Sequence, residues 1–182
     1  MKNIFCILIT FLCSHVVVIS QTVTQGPSSS QTPFVIPLSA GMNITSIMTS
    51  GNSVGSATLA GSIDGAGGWD NGDGTFSLLL NHEFTGNVGT VRAHGSIGAF
   101  VSKWIINKST LAVISGADLI QNLYLWNGTS YTVSNAANPL PAGTLIRFCS
   151  GDVAPFSAFW NPLTGKGTQE RIFMNGEETP PE

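Results

Sequence analysis

Apolar and β-branched residues occur in short runs along this chain, and Gly, Asn and Asp separate one run from the next. The runs recur about every ten residues, which is the spacing of strands joined by turns. They predict strands over 56–60, 76–80, 98–106, 111–114, 123–126, 131–133, 146–149 and 171–174. The 21 glycines suit the many tight turns that such a chain requires. The pattern therefore predicts an all-β sandwich, barrel or propeller.

The first twenty residues follow a different pattern. Lys2 precedes an almost wholly apolar stretch, and small residues come directly before Gln21. This arrangement is typical of a secretory signal peptide over 1–20 that is removed on export. A retained membrane anchor is the alternative, but the apolar stretch is short for a spanning helix. The sequence thus predicts an exported protein (periplasmic, extracellular or cell-surface) with no membrane span after cleavage.

The remaining chain divides by composition into two parts. Residues 21–44 form a segment rich in Ser, Thr and Pro, and its first part, to about Pro37, is predicted to be a linker. Residues 45–182 form the predicted β domain. The last predicted strand, 171–174, is followed only by an acidic pair and a Pro-rich end, with nothing to cover its edge. We therefore expect a domain truncated at its C-terminus, a fragment of a longer protein.

The charge of the chain argues against anionic partners. Charged residues make up only 9% of the chain, and the formal net charge is −3. Removing Lys2 with the signal leaves six basic residues against ten acidic ones, so the net charge becomes −4. Such a balance argues against nucleic acid and against anionic membranes as partners.

Several polar groups are candidates for chemistry. Asp70 opens an oxygen-rich segment that suits a β-turn better than a calcium loop, because it lacks the glutamate and the flanking helices of an EF-hand. Glu83 follows an apolar run and is either a metal ligand or the partner of a base such as Arg92. Glu177 and Glu178 are adjacent like charges that a cation or solvent must screen.

Cysteine usage adds one further candidate. Cys149 is the only cysteine left once the signal is removed, so it has no partner for an internal disulfide bond. It is either a buried apolar filler or a metal-binding or redox group. No Ser-His-Asp order, phosphate-binding glycine loop or zinc spacing stands out in the sequence.

The order of four short motifs resembles the PhoX-type alkaline phosphatases, a secreted bacterial family. The motifs are Asn81-His82-Glu83, Arg92-Ala93-His94-Gly95, Phe148-Cys149-Ser150-Gly151 and Gly176-Glu177-Glu178. The likeness runs from about residue 45 to 178 and covers what resembles the N-terminal part of a family member. It implies a β-propeller that holds calcium and iron on carboxylate ligands and hydrolyses phosphomonoesters. Because a propeller has about four to eight blades of four strands, the strands predicted here would form about two blades.

The resemblance also implies which residues act. Glu83, Glu177, Glu178 and Cys149 match metal-ligand segments of the family, and His94 matches its Ala-His-Gly segment. The family has a cysteine immediately before its paired glutamates, where this chain has Gly176. Loss of that soft, charged ligand disfavours Fe³⁺ and leaves Ca²⁺ as the expected ion.

Arg92 and Arg147 are the candidates for binding a phosphate group, because a guanidinium can form two parallel hydrogen bonds with phosphate. The resulting expectation is the N-terminal part of a secreted metal-dependent phosphomonoesterase. The alternative is a non-catalytic exported calcium-binding β-module for adhesion or surface assembly.

Overall fold

The computed structural model describes residues 21–178, and the predicted signal peptide therefore lies outside the described residues. The described chain is all-β, as predicted, and its strands form several small sheets, none of which is closed. The strands are β1 Thr22–Ser28, β2 Asn43–Met48, β3 Ser53–Val54, β4 Ala57–Thr58, β5 Ile63–Asp70, β6 Thr75–His82, β7 Phe100–Asn107, β8 Val113–Asp118, β9 Leu123–Trp126, β10 Tyr131–Ser134, β11 Phe148–Val153, β12 Trp160–Asn161, β13 Lys166–Gly167 and β14 Phe173–Glu177. Short 3₁₀ turns lie at Pro141–Gly143 and Phe156–Ala158.

A four-stranded antiparallel sheet in the order β5-β6-β7-β8 forms the centre of the fold. Strands β6 and β7 pair without interruption from Thr75 opposite Asn107 to His82 opposite Phe100. Both strands are largely buried along their length, and their buried residues include the polar side chains of Ser77, Asn81, His82 and Ser102. They are the frame on which the candidate site is built.

Each face of this sheet carries its own hydrophobic core. On one face, Trp104 and Ile106 of β7 pack with Leu59 and with side chains of β2, β3 and β4. On the other face, Leu79 and Val101 pack with Phe148 of β11. Side chains alternate between the faces of a strand, so His82 and Ser102 share the Trp104 face, whereas Asn81 lies on the face that β11 covers.

The turn between β5 and β6 confirms the predicted β-turn at Asp70. Asp70 Oδ1 accepts a hydrogen bond from the Gly72 amide, and Asp73 Oδ1 accepts one from the Thr75 amide. Gly72 and Gly74 have φ of 80° and 87°, a conformation that glycine adopts without strain. The pKa of the exposed Asp70 carboxyl is lowered by the hydrogen bond from Lys108 and then by that from Gly72. The pKa of Asp73 is lowered by the hydrogen bonds from the Thr75 hydroxyl and then from the Thr75 amide.

The predicted strands 123–126 and 131–133 form the hairpin β9–β10, with Trp126 opposite Tyr131. The predicted linker is wrong in part, because β1 lies inside it and pairs in parallel with β2. Most β1 side chains are exposed, so no buried apolar pattern indicated this strand in the sequence. Its docking rests on backbone hydrogen bonds, and Gly26 allows it to approach Ser46 closely.

Candidate functional site

Buried polar atoms without a partner are concentrated in two of the sequence motifs. Among residues 21–178, Asn81 Oδ1 and both ring nitrogens of His94 are buried side-chain atoms with no hydrogen-bond partner. Both side chains are fully buried. Leaving such groups unpaired costs free energy, so their presence in a folded protein is a common mark of a binding site.

His82 belongs to a fully bonded network on the Trp104 face of the sheet. Its Nδ1 lies 2.9 Å from the carbonyl oxygen of Gly61, which can only accept, so Nδ1 carries the proton. Its Nε2 therefore accepts from the Ser102 hydroxyl, whose Oγ lies 2.8 Å away. Ser102 Oγ in turn accepts a hydrogen bond of 2.8 Å from Trp104 Nε1. Burial lowers the pKa of His82, which keeps the imidazole neutral near pH 7.

Phe100 joins this network to the partly buried cation of Arg92. Its ring stacks on His82 with a centroid separation of 4.1 Å and an interplanar angle of 8°. The Arg92 guanidinium carbon lies 3.2 Å from the centroid of the Phe100 ring, in a cation–π contact. Arg92 Nε also lies 3.8 Å from Asp118 Oδ1, and Asp118 Oδ2 accepts from the Ala93 amide. Arg92 is thus held in place by a ring on one side and a carboxylate on the other.

These groups open onto one cavity of about 250 Å³. Arg92, Phe100, Ser102 and Asp118 line it, together with Ser56 and other residues of the segment before β5. The cavity has room for a small ligand. Arg92 is its only lining cation among the described residues, and it is paired with the Asp118 carboxylate, which lines the same cavity. Arg147, the second predicted phosphate-binding residue, does not line this cavity.

A second polar cluster surrounds Cys149 at the start of β11. The Cys149 thiol donates to Asp64 Oδ2 at 3.2 Å. Hydrogen bonds with two carboxylates raise the pKa of this thiol to about 12. The bond with Asp64 is the largest cause, and the bond with Glu178 is the second. Cys149 is half-buried and bonded, so it is neither a plain apolar filler nor a ready thiolate.

The paired glutamates are held against the segment before β11. Glu177 Oε1 accepts from the Ile146 amide at 2.7 Å. The Glu178 carbonyl accepts from Arg147 Nε at 3.1 Å, and the Glu178 amide donates to the Arg147 carbonyl. The Arg147 amide donates to the Phe84 carbonyl. The backbone of Arg147 is therefore bonded to Phe84 through its amide and to Glu178 through its carbonyl. Arg147 itself has a positive φ of 42°, which is strained for a residue other than glycine.

The predicted metal ligands do not form a closed set in the part of the chain that the structure describes. No three His, Cys, Asp or Glu side chains within 21–178 are arranged to hold a metal ion. Glu83 is half-buried, the Cys149 thiol donates to Asp64, and one oxygen of Glu177 is bonded to a backbone amide. The described residues therefore do not fit a calcium or iron centre by themselves, and no chemical step is assigned to such an ion.

Sequence reasoning missed three residues of these clusters: Ser102, Asp118 and Asp64. Ser102 had a signal, because strand alternation places it two residues from Trp104 and on the same face as His82. Asp118 and Asp64 reach their partners through long-range packing of β8 and β5, which local spacing does not predict.

Comparisons of the chain with protein families, with curated proteins and with solved structures found no match. Among residues 21–178, no helix combines the length and the apolar character that crossing a bilayer requires.

Proposed function

We propose that this chain is the N-terminal part of an exported phosphomonoesterase that resembles the PhoX-type alkaline phosphatases. In this proposal its small sheets are about two blades of a larger β-propeller. The substrate is a small phosphomonoester, and Arg92 binds its phosphate group.

One observation carries the proposal: the unpaired buried atoms of Asn81 and His94 lie in two of the four motifs that carry the resemblance. Hydrogen bonds also join the motifs across the fold. Asn81 Nδ2 donates to the Ser150 carbonyl at 3.0 Å, in the third motif. The fourth motif is joined through Glu178 to Arg147, and Arg147 to Phe84 beside the first motif. The first, third and fourth motifs, which are far apart in the sequence, are thus linked in the fold, and this linkage supports the resemblance.

Arg92 supports the phosphate assignment. It is partly buried and fixed by Phe100, and its cavity contains hydroxyl groups that can donate to phosphate oxygens. A guanidinium already ordered by its neighbours loses little conformational freedom when it binds an anion. The calcium dependence that the resemblance implies remains a prediction of the proposal.

Hydrolysis of a chromogenic phosphomonoester by the purified complete protein, whose N-terminal part this chain is proposed to be, tests the proposed function. Release of the chromophore is expected, and it should fall at least tenfold in Arg92→Lys because the bidentate contact with phosphate is lost. The assay is run with and without added Ca²⁺. Lys166→Arg serves as the control, because Lys166 is an exposed cation on the small hairpin β12–β13. No release under either condition would contradict the proposal.

The non-catalytic exported module remains the second candidate, and exposed apolar side chains favour it. Phe34 is 89% exposed and Leu38 is 88% exposed, and Val35 and Ile36 between them are also exposed. Apolar groups in such a run are typical of a surface that binds another protein. Calcium uptake that raises the melting temperature of the full chain, with no hydrolysis, would support this candidate over the first.

A further inference from the structure

We infer that Ser102 is a nucleophile, activated by His82 and aimed into the Arg92 cavity, that attacks the phosphorus atom of a phosphate ester. The choice of a phosphate ester as the natural substrate rests on the proposed phosphomonoesterase function, whereas the nucleophilic character of Ser102 does not.

The hydrogen-bond directions around Ser102 are those that activation requires. The Gly61 carbonyl places the imidazole proton on Nδ1, so Nε2 offers its lone pair to the Ser102 hydroxyl at 2.8 Å. A neutral imidazole in hydrogen-bond contact with a hydroxyl is the arrangement of a general base and its nucleophile. Gly61 acts as a positioning residue, because it fixes the tautomer and the ring orientation of His82.

Trp104 makes a further hydrogen bond to the Ser102 hydroxyl. Its Nε1–H donates to Ser102 Oγ at 2.8 Å, which orients the hydroxyl so that its proton points to His82 Nε2. The nucleophile and its base are therefore aligned before a substrate binds. Ser102 is 4% exposed and is one of the residues that line the cavity.

Arg92 indicates which class of ester Ser102 would attack. It lies in the same cavity as Ser102, and Phe100 contacts both Arg92 and His82. A planar cation beside a nucleophile suits an ester with an anionic oxygen on the reacting centre, which a phosphate ester has and a carboxylic ester does not.

The reaction conserves atoms and charge. Ser102 Oγ forms a bond to phosphorus while the bond from phosphorus to the alcohol oxygen breaks. The hydroxyl proton passes to His82 Nε2 and then to the departing alcohol. Water next attacks the phosphoserine, its proton passes through His82 Nε2 to Ser102 Oγ, and inorganic phosphate leaves.

Labelling by a fluorophosphonate probe tests the inference on the full chain without requiring phosphatase turnover. The Oγ–P bond forms, the P–F bond breaks, and fluoride leaves, so a nucleophilic serine retains the phosphonyl group for peptide mass spectrometry. We expect the label on Ser102 and its absence in Ser102→Ala. In His82→Gln the labelling rate should fall by at least about a hundredfold, because the general base is lost.

Two further variants keep the test informative if His82→Gln does not fold. Trp104→Phe keeps most of the ring but removes the N–H donor that orients the Ser102 hydroxyl, and labelling should slow by roughly tenfold or more. Ser77→Ala is the matched control, because Ser77 is a buried serine of the same sheet that bonds to Asn71 and lies on the opposite face of β6 from His82. Its labelling rate should equal that of the wild type.

Inorganic phosphate then tests the choice of substrate class. It should protect Ser102 from the probe, and Arg92→Lys should require a roughly tenfold higher phosphate concentration for equal protection. Absence of label from Ser102 in the folded wild type would overturn the inference. Full phosphatase activity in Ser102→Ala would also overturn it while leaving the proposed function standing. Label on Ser102 without any phosphomonoester hydrolysis would support the nucleophile and contradict the proposed function.

Discussion

At the residue scale, the two buried histidines are neutral for the same physical reason. Desolvation is the largest cause that lowers the pKa of both His82 and His94, and the charges of Arg92 and Asp118 act on both in opposite directions. The unfolded chain therefore binds protons at a higher pH than the folded chain does. Stability is fully present above the usual histidine pKa of 6.5 and is lost as the pH falls below it.

This difference predicts a pH dependence of unfolding. The urea midpoint should fall between pH 7.5 and pH 5.5, and His94→Gln should make the fall shallower because one titrating group is removed. His15 lies in the predicted signal, so it does not contribute once the signal is removed. Equal slopes for the wild type and the variant would contradict the assignment of His94 as a buried neutral group.

Cys149 provides a second test at this scale. Because the carboxylates of Asp64 and Glu178 raise its pKa to about 12, the thiol should react slowly with a disulfide reagent near pH 8. Asp64→Asn removes the larger of the two causes, so the reaction should accelerate by roughly tenfold. Asp152→Asn, an exposed change on the same strand β11, should leave the rate unchanged. A rapid reaction in the wild type would contradict the arrangement of these groups.

At the scale of elements, the attachment of β1 depends on one glycine. A Cβ atom at Gly26 would lie 2.2 Å from the Ser46 carbonyl oxygen, which belongs to the backbone of β2 and cannot move aside cheaply. Gly26→Ala should therefore destabilise the β1–β2 pair by about 1–3 kcal/mol. Hydrogen exchange should accelerate in Thr22–Ser28, whereas Thr24→Ala on the same exposed strand should have little effect. Unchanged protection in Gly26→Ala would contradict the close approach.

A glycine also allows β8 to pack closely on Trp104, nearer the candidate site. A Cβ atom at Gly116 would lie 2.3 Å from Trp104 Cζ3, so Gly116→Val should displace the ring and weaken the N–H contact with Ser102. We expect a loss of about 1–3 kcal/mol in the free energy of unfolding, measured by urea titration. Ser115→Val, an exposed position next to it on β8, is the matched control. Equal stability of the two variants would show that β8 does not pack on Trp104 in this way.

The sequence predicted the elements better than it predicted their contacts. Strands such as β6, β7 and β9 follow apolar runs, so periodicity was sufficient to find them. Strand β5 was missed because Gly65, Gly67 and Gly68 give it little apolar character, yet a Cβ at Gly65 would collide with the β11 backbone. Its glycines are required by close packing between strands, and that reason is visible only in the fold.

At the scale of the whole molecule, the central sheet holds the two polar clusters. The Ser102 network lies on the Trp104 face, whereas β11, which carries Cys149, packs over the face that contains Asn81. The resemblance implied a metal site of Glu83, Cys149, Glu177 and Glu178, but no three such side chains within 21–178 are arranged to hold an ion. Glu177 instead accepts from a backbone amide, and Glu178 bonds to the Cys149 thiol. The Arg92 cavity, with Ser102 and His82, is the better candidate for an anion site in this part of the chain.

The most direct test of this account is a titration of the isotope-labelled full chain with inorganic phosphate, followed by NMR. We predict saturable shifts in the ring signals of His82 and in the Nε–H signal of Arg92, and the loss of the His82 shifts in Arg92→Lys. Shifts confined to exposed lysines such as Lys108 and Lys166, with His82 and Arg92 unmoved, would contradict an anion site in the Arg92 cavity.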